Sequence, residues 1–361
     1  MAIICSVGKG IPIYEIEQNR IKDLVQNIFS YSEREVSRLL PVFDNAAIEK
    51  RQFVVPQDWF LVEHSFEERN DLYHQNAIHY TLNAMDECLK NTFLSEEVTY
   101  EDIDLLAFVS STGISTPSID TYLINERPFR ENVERMPLWG LGCAGGAIGL
   151  SRVYNWLKAN PTKVAILINC EICSLTFQKG DQKKSNLIGT ALFGDGVSAL
   201  LLIGEESIYR KSLIKPLPLI KSYSSYTEKD STNVMGWKII NTGFEVIFSK
   251  SIPALVHTIW KNHMQKFLQQ EGLSIDIIDA FISHPGGKKV LDAMVEALHI
   301  STEKLHYSAE ILRDHGNMSS ATVQYVLFKW LEKDMKLGTK GVITALGPGF
   351  SSEILLLEWD E

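Results

Sequence analysis

Basic residues are scarce in this chain. Its 361 residues carry 35 Lys and Arg against 45 Asp and Glu, a formal charge of −10. Phosphate backbones are bound mostly by basic surface, so the balance argues against nucleic acid as a main partner. Nowhere do ~18 apolar residues run unbroken, and the opening MAIICSVGKGIPIY has no basic segment ahead of an apolar core. Neither integral membrane association nor an export signal is expected, and a cytoplasmic protein is. Cysteines number five (Cys5, Cys88, Cys143, Cys170 and Cys173), too few and too uneven for a disulfide framework. The histidines show no metal-ligand spacing with them, so no metal site is expected. Apolar residues, by contrast, are plentiful. With 45% hydrophobic and 10% aromatic residues the chain can bury a large core, in about two domains or one duplicated unit.

Short apolar runs bounded by turn residues read as buried strands: LLAFVS 105–110, VAILIN 164–169, VSALLLIG 197–204, DAFIS 279–283, GVITAL 341–346 and SEILLLEW 352–359. Helical patterns lie between several of them, which makes the fold class α/β. The chain also matches itself. AFVSS 107–111 resembles AFISH 280–284 at an offset of 173, and GCAGGA 142–147 resembles GNMSSA 316–321 at 174. TALFGDGVSALLL 190–202 resembles TALGPGFSSEILLL 344–357, where the offset has fallen to 154. Three matches in the same order imply a duplication, with about twenty extra residues in the first half between Ala147 and Thr190. The halves are expected to divide in the polar, strand-poor stretch 205–235, giving units 1–215 and 216–361.

Cys143 lies in WGLGCAGGAIGLSRVYNWL, a Gly-rich turn leading into a helical apolar pattern. A thiol at a helix start has its thiolate favoured by the helix dipole and by unpaired N–H groups. An isolated cysteine there is otherwise a small core residue. His284, in FISHPGGKK, follows an apolar strand, at a strand end where α/β folds place ligands. Asn317, in DHGNMSSATVQYVL, opens a helix, where Asn is also an ordinary N-cap. A pseudo-twofold axis makes Cys143 face Asn317 and Ser111 face His284. Thiol, imidazole and amide then meet in one cleft as nucleophile, base or ion-pair partner, and amide donor.

Two other patterns are read as decoys. Gly140-x-Gly142-x-x-Gly145 fits a dinucleotide fingerprint, with Glu171 near the ribose-binding position. The preceding ENVERMPLW, however, is polar, contains proline and makes a poor central strand. Cys170-Glu-Ile-Cys173 is a lone CxxC, read as pocket or core thiols.

The landmarks GCAGG around Cys143, ALFGDG 191–196, HPGG 284–287, GNMSSA around Asn317 and GPGF 347–350 cover nearly the whole chain. Together they resemble the type III polyketide synthases, the chalcone-synthase-like branch of the thiolase superfamily. SSTGISTPS 110–118 and MGWKIINTGF 235–244 look especially like the bacterial alkylpyrone-type synthases of Bacillus and its relatives. The resemblance implies a thiolase-like duplicated αβαβα fold with two pseudo-symmetric halves and central mixed sheets. The first half would carry the nucleophile, the second the His and Asn. It also implies a homodimer, no tightly bound cofactor, and acyl-CoA and malonyl-CoA as substrates. Cys143 would accept the starter acyl group, with His284 holding it as thiolate. His284 and Asn317 would stabilise the enolate left when malonyl-CoA loses CO₂. Phe193 matches the gatekeeper between the CoA tunnel and the cavity, and Gly189, Leu192, Thr176, Ser319 and Pro348 would line that cavity. The extra segment of the first half would serve as cavity wall and lid.

The departures bear on the product. Val246 stands where plant chalcone synthases have a second gatekeeper phenylalanine, Trp237 where they have a pocket-floor glycine, Cys173 for a threonine and Thr116 for a methionine. An aliphatic starter in a side tunnel near Thr116, Cys173 and Met235, followed by lactonisation to an alkylpyrone, is the preferred reading. Arg38 is the best match to a CoA-phosphate ligand, with Lys50 and Arg51 nearby. Two alternatives remain: a ketoacyl-synthase-like single condensation from a carrier protein, and a catalytically silent acyl-binding homologue.

Overall fold

The computed structural model describes residues 1–29 and 33–360. All six apolar runs are strands. In chain order the strands are β1 Ala2–Gly10, β2 Tyr14–Glu17, β3 Lys50–Phe53, β4 Leu105–Ser110, β5 Glu134–Trp139, β6 Val164–Ile172, β7 Asp195–Gly204, β8 Leu217–Thr227, β9 Met235–Ile240, β10 Gly243–Phe248, β11 Ala280–Ser283, β12 Lys340–Gly347 and β13 Ser351–Asp360. Nine of them form one sheet, in the order β11-β12-β13-β8-β1-β7-β6-β4-β5, while β2–β3 and β9–β10 are separate hairpin-like pairs. β4, β6 and β7 are buried along their whole length, which is why they read as continuous apolar runs.

The sheet runs through the same pairings outward from its middle in both directions. β1 and β8 lie antiparallel at the centre. Each is flanked by an antiparallel partner, β7 and β13, then by antiparallel β6 and β12, then by parallel β4 and β11. This is the duplication of the sequence, expressed as two mixed half-sheets joined edge to edge. Ala107 pairs with Leu167 and Ala280 with Gly341, so the offset near 174 continues through these strands. β5 adds an edge strand beyond β4 and carries Pro137, which an edge tolerates because one side of the ladder has no partner.

Two expectations need correction. The third sequence match is half coincidental: Thr344, Ala345 and Leu346 belong to β12, whereas Thr190, Ala191 and Leu192 end a helix. The extra residues are therefore 173–194, between β6 and β7, where the second half has only the turn 348–350 between β12 and β13. The stretch 205–235 is also not strand-poor. β8 occupies its middle, buried at Leu217–Ile220 and progressively exposed beyond, so its polar second part KSYSSYT disguised it.

Five helices frame the site: α1 Gln18–Ile28, α2 Phe66–Lys90, α3 Gly145–Ala159, α4 Lys184–Leu192 and α5 Thr322–Leu331. α3 packs on β4 and β6 of its own half and on β12 and β13 of the other; α5 packs on β11 and β12 and reciprocally on β1 and β7. The starts of α3 and α5 are pressed together where the halves meet. A Cβ on Gly146 would stand 2.3 Å from the Ser320 carbonyl oxygen, a distance no side chain tolerates.

Gly146→Ala is accordingly expected to cost about 1–3 kcal/mol, as overpacking does, and to lower the urea midpoint. Gly180→Ala, where nothing lies within 4 Å of the added carbon, is expected to leave the midpoint in place. An equal response at both positions would refute the close approach.

Candidate active site

Cys143 sits in the short 3-10 turn Gly142–Ala144 that feeds directly into α3. Gly142 has φ +49°, and its N–H donates to Ser111 Oγ at 2.9 Å. Ser111, expected opposite His284, thus turns its hydroxyl to the nucleophile's own turn. Burial pushes the Cys143 thiol up to about 11, against opposing hydrogen bonds from Ser319 and Asn317. Cys143 Sγ lies 3.8 Å from both Oδ1 and Nδ2 of Asn317. The pairing expected from the duplication is present.

The orientation of the Asn317 amide is set by its neighbours. Ser319 N–H, which can only donate, reaches Oδ1 at 2.8 Å. Nδ2 then donates to Gly286 O at 3.2 Å, which leaves its second N–H on the side of the sulfur. Gly286 lies two residues beyond His284, and a Cβ placed on it would be 3.8 Å from His284 Nε2. The backbone of His284 is anchored by its N–H to Thr344 O at 2.9 Å. The imidazole is 2% exposed, and neither ring nitrogen has a hydrogen-bond partner among the described residues. Burial alone pushes it down to about 3. Asn317 is also tied to the segment that carries Phe193. Its N–H donates to Leu192 O at 2.8 Å, and its carbonyl accepts from Gly194 N–H at 3.0 Å, on either side of Phe193.

Two spaces lie nearby, one lined by Phe193 and one reaching Gly286. The first is a narrow recess with a cavity volume of about 40 Å³, whose walls include Phe193, Trp237, Val246, Cys173, Thr176 and Gly189. Trp237 and Val246 are directly paired across β9–β10, and the Trp237 ring lies 5.7 Å from that of Phe193. The extra segment 173–194 supplies much of the wall, from Cys173 through Phe193. Thr116 and Met235, expected beside Cys173 in a starter tunnel, do not line this recess; Thr116 is exposed. The second space is a wide cleft reaching Leu192 and Gly286, lined by Arg38 and by Lys184, Lys250, Lys288 and Lys289, with no acidic residue among the described residues of its wall. The four lysines escaped the sequence reading because they come from three separated segments. Pro348 packs against Gly142, where an added Cβ would meet its ring at 2.7 Å. Ser319 has φ +48°.

Arg51 is not a surface cation. It is fully buried, donating through Nη1 to the carbonyls of Thr190 and Phe193, both at 2.7 Å, and through Nη2 to Gln18 Oε1 at 2.6 Å. Lys50 is partly exposed and paired with Glu15. Glu171 does not stand free to meet a ribose. It is fully buried, accepting from Ser111 N–H at 3.1 Å and Ser320 Oγ at 2.7 Å. Cys170 and Cys173 are buried free thiols, pushed up by burial. Among the described residues no group of three or more His, Cys, Asp or Glu is arranged to hold a metal, and no helix is long and apolar enough to cross a membrane.

Residues 12–270 match the family model described as FAE1/Type III polyketide synthase-like protein, and residues 223–359 that of the C-terminal domain of chalcone and stilbene synthases. The chain is 46% identical to a candidate chalcone synthase of Bacillus subtilis (strain 168), with 100% of each covered. It is 32% identical to a 1,3,6,8-tetrahydroxynaphthalene synthase of Streptomyces peucetius subsp. caesius, over 99% of this chain and 93% of that one. The crystal structure of the corresponding synthase from Streptomyces coelicolor A3(2), a bacterial type III polyketide synthase, is similar at a TM-score of 0.90, with 25% identity and 99% of both chains covered.

Burial raises the Glu171 carboxyl from an ordinary 4.5 to about 7. A carboxyl raised in the folded state contributes stability that is complete below its unfolded value and is lost as pH climbs through its folded value. The Glu171 contribution to stability, up to about 3 kcal/mol, is therefore expected to be lost between about pH 5 and about pH 7.5 and to show as the difference between the native protein and Glu171→Gln. Melting curves across this range that are identical for both proteins would contradict the assignment.

Proposed function

The chain belongs to the type III polyketide synthase family of the chalcone and stilbene synthases, CoA-dependent condensing enzymes that perform iterative Claisen-type condensations on thioesters, and from that premise we propose that it extends a long-chain fatty acyl starter with malonyl units and closes the product to an alkylpyrone. The observation that carries the reading is the meeting of Cys143 and Asn317 at 3.8 Å, beside the His284 turn, with Asn317 bonded to the residues on either side of Phe193, which lines an apolar recess.

The steps follow from the groups present. The Cys143 thiol passes its proton to His284, whose ring nitrogens have no other partner among the described residues; Sγ attacks the acyl-CoA carbonyl, and CoA is expelled as a thiolate that takes the proton back from His284 and departs as the thiol. In a site this dry the opposite charges attract strongly, which offsets the burial that disfavours each alone. Malonyl-CoA then loses CO₂. The electron pair of the broken C–C bond moves into the thioester as an enolate, whose oxygen accepts from the spare Nδ2 N–H of Asn317 and from His284. The enolate carbon attacks the acyl-Cys143 carbonyl, the Cys143 thiolate leaves, and the chain is two carbons longer. Reloading onto Cys143, with release of CoA thiol, repeats the cycle until the enol oxygen closes on the thioester carbonyl, expelling the thiol and giving the pyrone. Phe193 presents an apolar ring that favours departure of neutral CO₂. Arg38 and the four lysines of the wide cleft hold the CoA phosphates, a local positive patch on an otherwise acidic protein. Water exclusion protects the thioesters from hydrolysis.

The enzyme acts as a twofold pair. Support comes from exposed Ile114, Trp139 and Ile239, which line one groove on the face around β5, with Trp139 53% exposed.

Incubation with malonyl-CoA and a series of acyl-CoAs, with products identified by mass, tests the reaction. Cys143→Ala should abolish polyketide while leaving malonyl-CoA decarboxylation measurable, and Asn317→Ala should lower decarboxylation about 10²–10³-fold. Loss of both activities together in Cys143→Ala would count against this division of labour. Trp139→Glu should shift the sedimentation coefficient from dimer to monomer; a wild-type protein that sediments as a monomer removes the dimer.

A further inference from the structure

The recess behind Phe193 has a far end that no family motif marks. α1 begins at Gln18, whose backbone N–H donates to Glu49 O at 2.8 Å and whose side chain donates to Ala191 O at 2.9 Å while accepting from Arg51. The start of the helix is thereby clamped to the same segment that carries Phe193. Ile21, Leu24 and Ile28 fall at helical spacing on one face of α1, and all three line the recess. Phe53, Phe60 and Phe177 complete that end, and the Phe60 and Phe177 rings pack edge to face at 5.5 Å. At the near end Gly189 leaves room beside the gatekeeper: a Cβ there would stand 3.2 Å from the Phe193 ring and 3.7 Å from Val246. The cation in the wall, Arg51, directs Nη1 and Nη2 to Thr190, Phe193 and Gln18. Most of the described wall is aliphatic or aromatic, with Ser174, Thr176, Asn186 and Thr190 contributing polar side chains.

From this geometry we infer that α1 is the chain-length gauge of the enzyme, and that the methyl end of the starter acyl group rests on Leu24 and Ile28. The inference rests on the fatty-acyl reading above and deepens it, since it names the residues that decide which acyl-CoA is taken. Each methylene buried in such a space contributes about a fourfold gain in affinity. A chain that stops short of α1 forgoes that gain, and one that overruns it must displace a packed helix.

The test is a competition among acyl-CoAs of graded length, read as intact-mass adducts on Cys143 before malonyl-CoA is added and as product masses afterwards. Ile28→Phe fills the end of the recess, and the preferred starter should shorten by about two carbons, with the longest good substrate disfavoured about fifteenfold. Leu24→Ala should lengthen the preference instead. Melting temperatures establish that each variant is folded. If Ile28→Phe does not fold, Leu24→Ala and Ile28→Val carry the test through the opposite shift. Adducts of unchanged length in folded variants overturn the role of α1 while leaving the fatty-acyl reading intact. A wild-type protein that forms no alkyl adduct on Cys143 removes that reading and this inference with it.

Discussion

The site depends on one constraint, the contact of two helix starts. α3 and α5 each belong to one half and pack on both, and they meet where Gly146 lies against the Ser320 carbonyl with no room for a single carbon. Because Cys143 precedes α3 as Asn317 precedes α5, closing this contact brings sulfur and amide to 3.8 Å. The chemistry is therefore a consequence of packing. A core that holds the helices apart holds the nucleophile away from its partner.

Around that contact, each polar group is oriented by another that has one option. Ser319 N–H can only donate, so Asn317 must present Oδ1 to it and Nδ2 to the sulfur side. The Phe193 carbonyl and that of Thr190 accept from Arg51, a cation too deep to turn elsewhere, while the residues flanking Phe193 pair with Asn317. Gatekeeper and amide are thus parts of one hydrogen-bonded unit joining residues far apart in the chain. His284 is the exception. It is dry and unpartnered, a state that costs free energy unless a reacting group completes it.

Legibility followed burial. Strands covered on both faces, such as β6 and β7, stand out as unbroken apolar runs, whereas β8 crosses from the core to the surface and shows a polar second part. The triad was legible because the duplication puts Cys143 and Asn317 in equivalent slots. Trp237 and Val246 were named from motif comparison, and they prove to be cross-strand neighbours on the wall of the recess. Arg51 was named only as a cation near Arg38. A sequence shows charge but not depth, and only the fold shows that its acceptors are backbone carbonyls and a glutamine.

By itself the sequence determined the α/β class, the twofold repetition, the pairing of Cys143 with Asn317 and the family the chain belongs to. Those properties are carried by residue types at characteristic spacings, which persist however the chain is folded. Tertiary structure alone decided where the extra segment 173–194 is inserted, that four lysines from three segments share a cleft with Arg38, and that α1 closes the recess. These depend on distances between residues remote in sequence, and chain order does not encode such distances until the core has packed.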